Sequence, residues 1–418
     1  MAMELLKRLA SGIRFNKTEA AVHWRTPATL DRGTLGEACL ALDGRGHGSA
    51  LWENDGGLWL MPTGLRSSLA LIRLPLGEGK GPRIVLNPDG RGIALWLVES
   101  GGEQQILGKI LGGGESIGHI LFRTEGRIQH LQGAVDRRGN ALVVWVHEKT
   151  GQFEVMAHAF DTRGLAWEKE PTTLSIPSDQ GVEPRIAVNH REHAMVIWEV
   201  QDRQFEGLVA SHYWPADRIW SDRPVPVVSH ATLHHQVAMD DMGNALAVWI
   251  RTPNGQRSSI EASSYDVKSG EWGEPEVLGS AQTFTSPQLV MAGNGEALAA
   301  WCQGEGHGNA RLFAKAFVKG KWAEEVEQLD PGHGRVTEFA IAIGAAGRAG
   351  LLVLQRGPGG DWATARLRQE TWSEPMPLGV ASPAVQSAPR LALCPQGAMA
   401  LWIQGEGQQK HLMVTGTA

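Results

Sequence analysis

The stretch Gly243-Asn-Ala-Leu-Ala-Val-Trp249 places a tryptophan six residues after a glycine, with apolar residues at every position from Ala245 to Trp249. Four further copies stand at Gly46 to Trp52, Gly90 to Trp96, Gly139 to Trp145 and Gly295 to Trp301. Three are degraded: Glu192 to Trp198 lacks the glycine, Gly347 to Val353 lacks the tryptophan, and Gln396 to Trp402 displaces the glycine by one. The last residues of the eight phrases are 44, 49, 53, 51, 52, 52 and 49 residues apart, a period of about fifty. Self-similarity at such a period marks a repeat architecture.

Each phrase is apolar on both alternating faces, as in a strand buried on two sides. The glycine, often preceded by Asp or Asn, supplies the tight turn that enters it. Upstream lies another short strand, such as that from Pro82, Pro184, His235, Pro287 or Pro389. Downstream come a third strand, such as Ile260 to Asp266, and a fourth that opens on a second tryptophan with proline shortly after. That last element begins at Trp167, Trp220, Trp272 and Trp372, and at Trp322 without the proline. Four strands per unit, eight times over, predict an all-β, single closed eight-bladed β-propeller of four-stranded antiparallel blades. The repeats resemble propeller repeat proteins at large over about residues 20–418.

The chain ends test that reading. The second tryptophan follows the first by 21 to 23 residues where both are present, but Trp402 stands only 16 residues from Ala418. Trp24-Arg-Thr-Pro27 matches the missing fourth strand, so residues 20–34 are expected to supply the outer strand of the last blade and close the ring. Closure removes the open sheet edges. Residues 1–19 lie outside the repeat as an N-terminal extension. Leu5, Leu6, Leu9 and Ile13 there have the spacing of a short amphipathic helix. Thirteen of the 16 tryptophans fall on the two repeat positions, leaving Trp59, Trp214 and Trp362 for third-strand packing or an aromatic platform.

The repeats lack the Gly-His and Trp-Asp pair of WD40 blades and the Gly-Gly pattern of kelch. Tyr265 to Trp272 is similar to a quinoprotein turn, and Asp240 to Trp249 to the Asp-boxes of sialidases, although the latter spacing is too long. A sialidase-like site needs a tyrosine nucleophile. Tyr213 and Tyr265, the two tyrosines present, align with Phe160 and Phe317 as packing residues.

Departures from the repeat locate a candidate site. Nine residues before the turn glycine the copies carry Glu37, Gly81, His130, Glu183, His234, Ser286, Glu338 and Ala388. Two later come Cys39, Arg83, Gln132, Arg185, Gln236, Gln288, Ala340 and Arg390. Alternation puts both layers on one side of the innermost strands, expected to line the channel. His130, Glu183 and His234, with Gln132, Arg185 and Gln236 beneath, form the candidate ligand site at the channel mouth. The imidazoles and carboxylate could also hold a divalent metal; no other cofactor is implied. The polar loops after the repeat tryptophan, among them 303–308 and 404–407, suit a partner protein.

With 39 Lys+Arg against 45 Asp+Glu the net charge is -6, so no basic field suits nucleic acid. No run of 18 apolar residues suggests a transmembrane segment. Cys39, Cys302 and Cys394 form no metal or redox motif. With no secretory signal pattern either, a cytoplasmic location is expected. The sequence therefore favours a non-catalytic binding protein or scaffold presenting its rim and channel mouth to a partner protein or a small polar ligand. The alternatives are a hydrolase or lyase at the channel mouth, or a carbohydrate-binding lectin.

Overall fold

In the computed structural model the described residues are 23–417 apart from 66–72, 113–117, 177–179, 202–204, 254–256, 286, 305–309, 331–333, 345–346, 370, 380–385 and 406–408. The N-terminal extension and most of the Gly-rich stretches of loops 303–308 and 404–407 lie outside them. Eight separate antiparallel sheets follow one another along the chain. Their inner strands are Leu35–Leu42, Lys80–Leu86, Arg127–Val135, Gly181–Val188, Leu233–Met239, Gln288–Met291, Arg335–Ile343 and Gln386–Cys394. Each inner strand neighbours the next around the ring, and the eighth neighbours the first. This is the eight-bladed propeller that the repeat predicts.

In the first five blades the lower turn is built by the side chain three residues before the glycine position: Asp43, Asn87, Asp136, Asn189 and Asp240. Asp240 Oδ1 accepts the backbone N–H groups of Met242 and Asn244 at 2.8 and 2.9 Å, and Asn87 Oδ1 those of Asp89 and Arg91 at 3.0 Å each. These Asx turns leave the glycine, such as Gly243 with φ 96°, in the left-handed region. In the fourth blade Glu192 occupies that place with φ 73°, its carboxylate 2.6 Å from Arg138 of the third blade. Asparagine also clips blades together: Asn87 Nδ2 donates to the Asp136 carbonyl and Asn189 Nδ2 to the Asp240 carbonyl, at 2.8 and 2.9 Å.

Between blades the repeat tryptophans fill the core. Trp52, Trp145, Trp198, Trp249, Trp301 and Trp402 are fully buried, and Trp198 packs on Val144, Val155 and Ala157 of the third blade. The second tryptophan pairs with an aromatic residue of the third strand, Phe160 with Trp167, Tyr213 with Trp220, Tyr265 with Trp272 and Phe317 with Trp322, at 5.2–5.5 Å between ring centroids. Both tyrosines are thus packing residues. Trp59, Trp214 and Trp362 all lie in third strands, and Trp59 is covered by the Arg73 guanidinium at 4.4 Å.

Ala28–Gly33 pairs antiparallel with Lys410–Gly416 as the outer strand of the eighth blade, and Trp24 bridges to Thr417. Asp31 staples this strand to the first blade, accepting Trp52 Nε1 at 2.8 Å and Asn54 Nδ2 at 2.9 Å, with Arg73 at 2.5 Å. Burial raises the Asp31 pKa, but these donors outweigh it and hold the carboxyl below its ordinary value.

Candidate functional site

The inner strands break their alternation at the level singled out from the sequence. Pairing shifts by one residue between Gln129 and Gln132, between Val182 and Arg185, and between Leu233 and Gln236, so each strand carries a bulge there. The extra residue is left-handed: His130, Glu183 and His234 have φ of 54°, 52° and 54°, and Gly81 and Ala388 match them in the second and eighth blades. A bulge of this type favours glycine. Non-glycine residues in such strained conformations are found at functional sites more often than elsewhere.

The expected direction of the layers needs correction. Side chains leave a sheet perpendicular to it, and in a propeller the sheet faces look at neighbouring blades, so the layer below the bulge reaches into the next blade as well as toward the axis. Gln288 shows this clearly: its amide donates to the Phe339 carbonyl at 2.7 Å and accepts the Ile341 N–H at 3.0 Å. Glu338 likewise accepts the Ala388 N–H of the next blade at 3.0 Å, and Glu37 binds Arg83.

His130, Glu183, Arg185 and Arg83 are brought together by three consecutive blades. Burial lowers the His130 pKa; Glu183 opposes this and Arg185 and Arg83 reinforce it, so the surroundings favour the neutral imidazole. Arg185 is mostly buried, which pushes its guanidinium pKa down while Glu183 opposes the shift. Its contacts are long, 3.5 Å from an Nη to the Pro184 carbonyl and 3.9 Å from the other Nη to the Glu183 carboxylate. Arg390, in the same register, donates to the Pro389 carbonyl at 3.0 Å. Arg390 and Arg83 flank Cys39, whose thiol burial pushes up to about 12. Three guanidinium groups therefore stand in one register on the eighth, second and fourth blades.

His234 is exposed at the mouth, while Gln132 and Gln236 are half-buried on their strands. Among the described residues no group of three or more His, Cys, Asp or Glu could hold a metal ion. His130, Glu183 and His234 are therefore not gathered as a metal centre: each sits on a different blade, and the bulge turns each out of the strand's alternation. His230, four residues before His234 in the chain, lies elsewhere, 3.2 Å from the buried Glu261. Arg83 and Arg390 are the residues that sequence reasoning passed over. Their signal was present, since they share the alignment column of Arg185.

No family model matches the chain, and no curated protein matches it. Solved structures do. A polysaccharide lyase, Uly1, is 8% identical with a TM-score of 0.52, covering 94% of this chain and 99% of its own. The Dos1 propeller is 9% identical with a TM-score of 0.51, covering 94% and 95%. An ulvan lyase of polysaccharide lyase family PL25 is 10% identical with a TM-score of 0.50, covering 93% and 95%. At these identities the likeness is one of fold alone. Among the described residues no helix is long and apolar enough to cross a membrane.

Proposed function

We propose that this chain is a binding propeller that receives the acidic group of a polar ligand or partner at the upper channel mouth, with Arg185 and Arg83 as its cationic floor and His130, Glu183, His234, Gln132 and Gln236 around it. The observation that carries this reading is Arg185: a guanidinium mostly withdrawn from water on an inner strand, holding among the described residues only long contacts at 3.5 and 3.9 Å. Its planar fork of donors suits a carboxylate or phosphate oxygen pair. Buried charge of this kind is costly unless paired, so an anion would stabilise it.

Isothermal titration with inorganic phosphate and with citrate tests the reading. Binding by the wild-type chain, weakened at least tenfold in Arg185→Ala and unchanged in Arg251→Ala on the rim, supports it. Absence of binding by both anions, or equal binding by the Arg185→Ala variant, would overturn it.

A lyase is the second reading, favoured by His130. A neutral imidazole beside two guanidinium groups is the pairing needed to take a proton next to a carboxylate whose charge is held. Two of the structural neighbours named above are polysaccharide lyases. Incubation with uronate-containing polysaccharides, followed by ultraviolet absorbance of an unsaturated product, tests it. No product, or the same product rate from His130→Ala, rejects this reading.

A further inference from the structure

The column that follows the bulge residue is apolar in every other blade: Ala38, Pro82, Leu131, Pro184, Pro287, Phe339 and Pro389. In the fifth blade it is His235, fully buried. Its Nε2 lies 2.7 Å from the backbone carbonyl oxygen of Glu183 in the fourth blade. A carbonyl can only accept, so Nε2 carries a proton, and full burial, which pushes the pKa down to about 3, keeps the ring neutral with Nδ1 bare. Nδ1 has no hydrogen-bond partner among the described residues. A polar ring that leaves one buried nitrogen unsatisfied is a poor choice for packing alone, since each unmet buried polar atom carries a desolvation cost. The hydrogen bond it makes falls on one of the strained residues, Glu183 with φ 52°.

Resting on the anion-site reading above, we propose that His235 is a positioning residue of the upper mouth: by fixing the Glu183 carbonyl it holds the Glu183 carboxylate away from a close pair with Arg185. Without that bond the left-handed Glu183 relaxes, and its carboxylate is free to close the 3.9 Å gap and form a bidentate pair with Arg185. The internal carboxylate and an incoming anion compete for one guanidinium. His235 decides that competition without touching the ligand.

The test uses the full chain, with leucine borrowed from the equivalent Leu131 to preserve packing. His235→Leu is expected to weaken phosphate and citrate binding about tenfold, and His235→Gln, which restores an N–H donor, to recover most of it. In the His235→Leu background, Glu183→Gln is expected to restore binding, because the competing charge is gone. A merely structural role for His235 would not produce that rescue. Crystal structures give an independent readout: the Glu183–Arg185 separation shortens in His235→Leu. An unchanged separation, or a folded His235→Leu chain that binds as wild type while Arg185→Ala does not, overturns the inference and leaves the anion site standing. If Arg185→Ala binds as wild type, the site itself falls.

Discussion

The two ends of the channel are built from the same eight inner strands, yet they obey different rules. At the lower end Asp43, Asn87, Asp136, Asn189 and Asp240 each cap the turn to the second strand, and a collar of strand-end residues including Leu42, Leu86, Val188, Met239, Met291, Ile343 and Leu393 lines a cavity of about 510 Å³. The capping chemistry repeats there through the first five blades. At the upper end the bulge residue is glutamate, glycine, histidine or alanine, and the residue beneath varies from arginine to cysteine. The lower end holds the ring together, whereas the upper end can change without loss of the repeat. Substitutions should therefore cost stability below and in the core between blades, and cost binding above.

The largest expected effect lies in the repeat itself. Trp198→Ala leaves a cavity between the third and fourth blades, and such truncations cost about 3–5 kcal/mol. Thermal unfolding should drop by several degrees, and a drop of under about 1 °C would show that this tryptophan does not bear the packing assigned to it. Next comes Asp240→Ala in the fifth turn, which leaves two backbone N–H groups and Asn244 without their acceptor. The expected loss is about 1–3 kcal/mol in denaturant unfolding. The same substitution at Glu37 on the upper end should change stability by less than about 1 kcal/mol, because its pair with Arg83 is half exposed.

The ends also titrate with opposite signs. Near the lower rim His212 is buried against Trp214, 3.3 Å from the Tyr265 hydroxyl and 3.2 Å from His193. Burial, with a smaller contribution from His193, pushes its pKa down to about 4. The unfolded chain therefore binds a proton more readily than the folded one between about pH 6.5 and 4, and the stability that His212 contributes is lost as pH falls through that window. At the upper end burial raises Glu53 and Glu338, although hydrogen bonds from Gly81 and Ala388 oppose the shift. Their contribution is present at low pH and is lost as pH rises through their folded values. His212→Ser, matching Ser264 at the same register of the next blade, should flatten the decline of melting temperature between pH 6.5 and 4. Equal slopes in the two proteins would break the assignment.

This contrast explains what the sequence could reveal. The ring, the closing strand and the tryptophan packing were legible because each depends on local chemistry copied in most of the eight units: a side-chain cap, a glycine, a tryptophan. The site was legible in its residues, since His130, Glu183 and Arg185 depart from the repeat. Its geometry was not. Simple alternation puts both layers on one wall, but the bulge at His130, Glu183 and His234 inserts a residue, and nothing in the composition of the strand signals it except Gly81 in the second blade. Gln288, a predicted channel residue by the same logic, instead clips two blades. His235 was hidden for the same reason, because its partner is a carbonyl 52 residues earlier in the chain.

The smallest expected effect separates the two ends most sharply. His130 at the upper end and Glu192 at the lower end are both non-glycine residues in the left-handed region, with φ of 54° and 73°. A left-handed L-residue costs about 1–2 kcal/mol. Glycine removes that cost but gives back about 0.5–1 kcal/mol in chain entropy. His130→Gly should therefore stabilise the fold slightly, by under about 1 kcal/mol or roughly 1 °C in melting temperature. Glu192→Gly gains the same relief and loses the Arg138 ion pair, a surface contact worth about 0–1 kcal/mol, so it should be close to neutral. The binding readout should divide the pair. Phosphate affinity should fall in His130→Gly and stay at the wild-type value in Glu192→Gly. If both variants bind as wild type, then the strain at His130 serves the turn of the chain and not the ligand. The upper end would then be as structural as the lower.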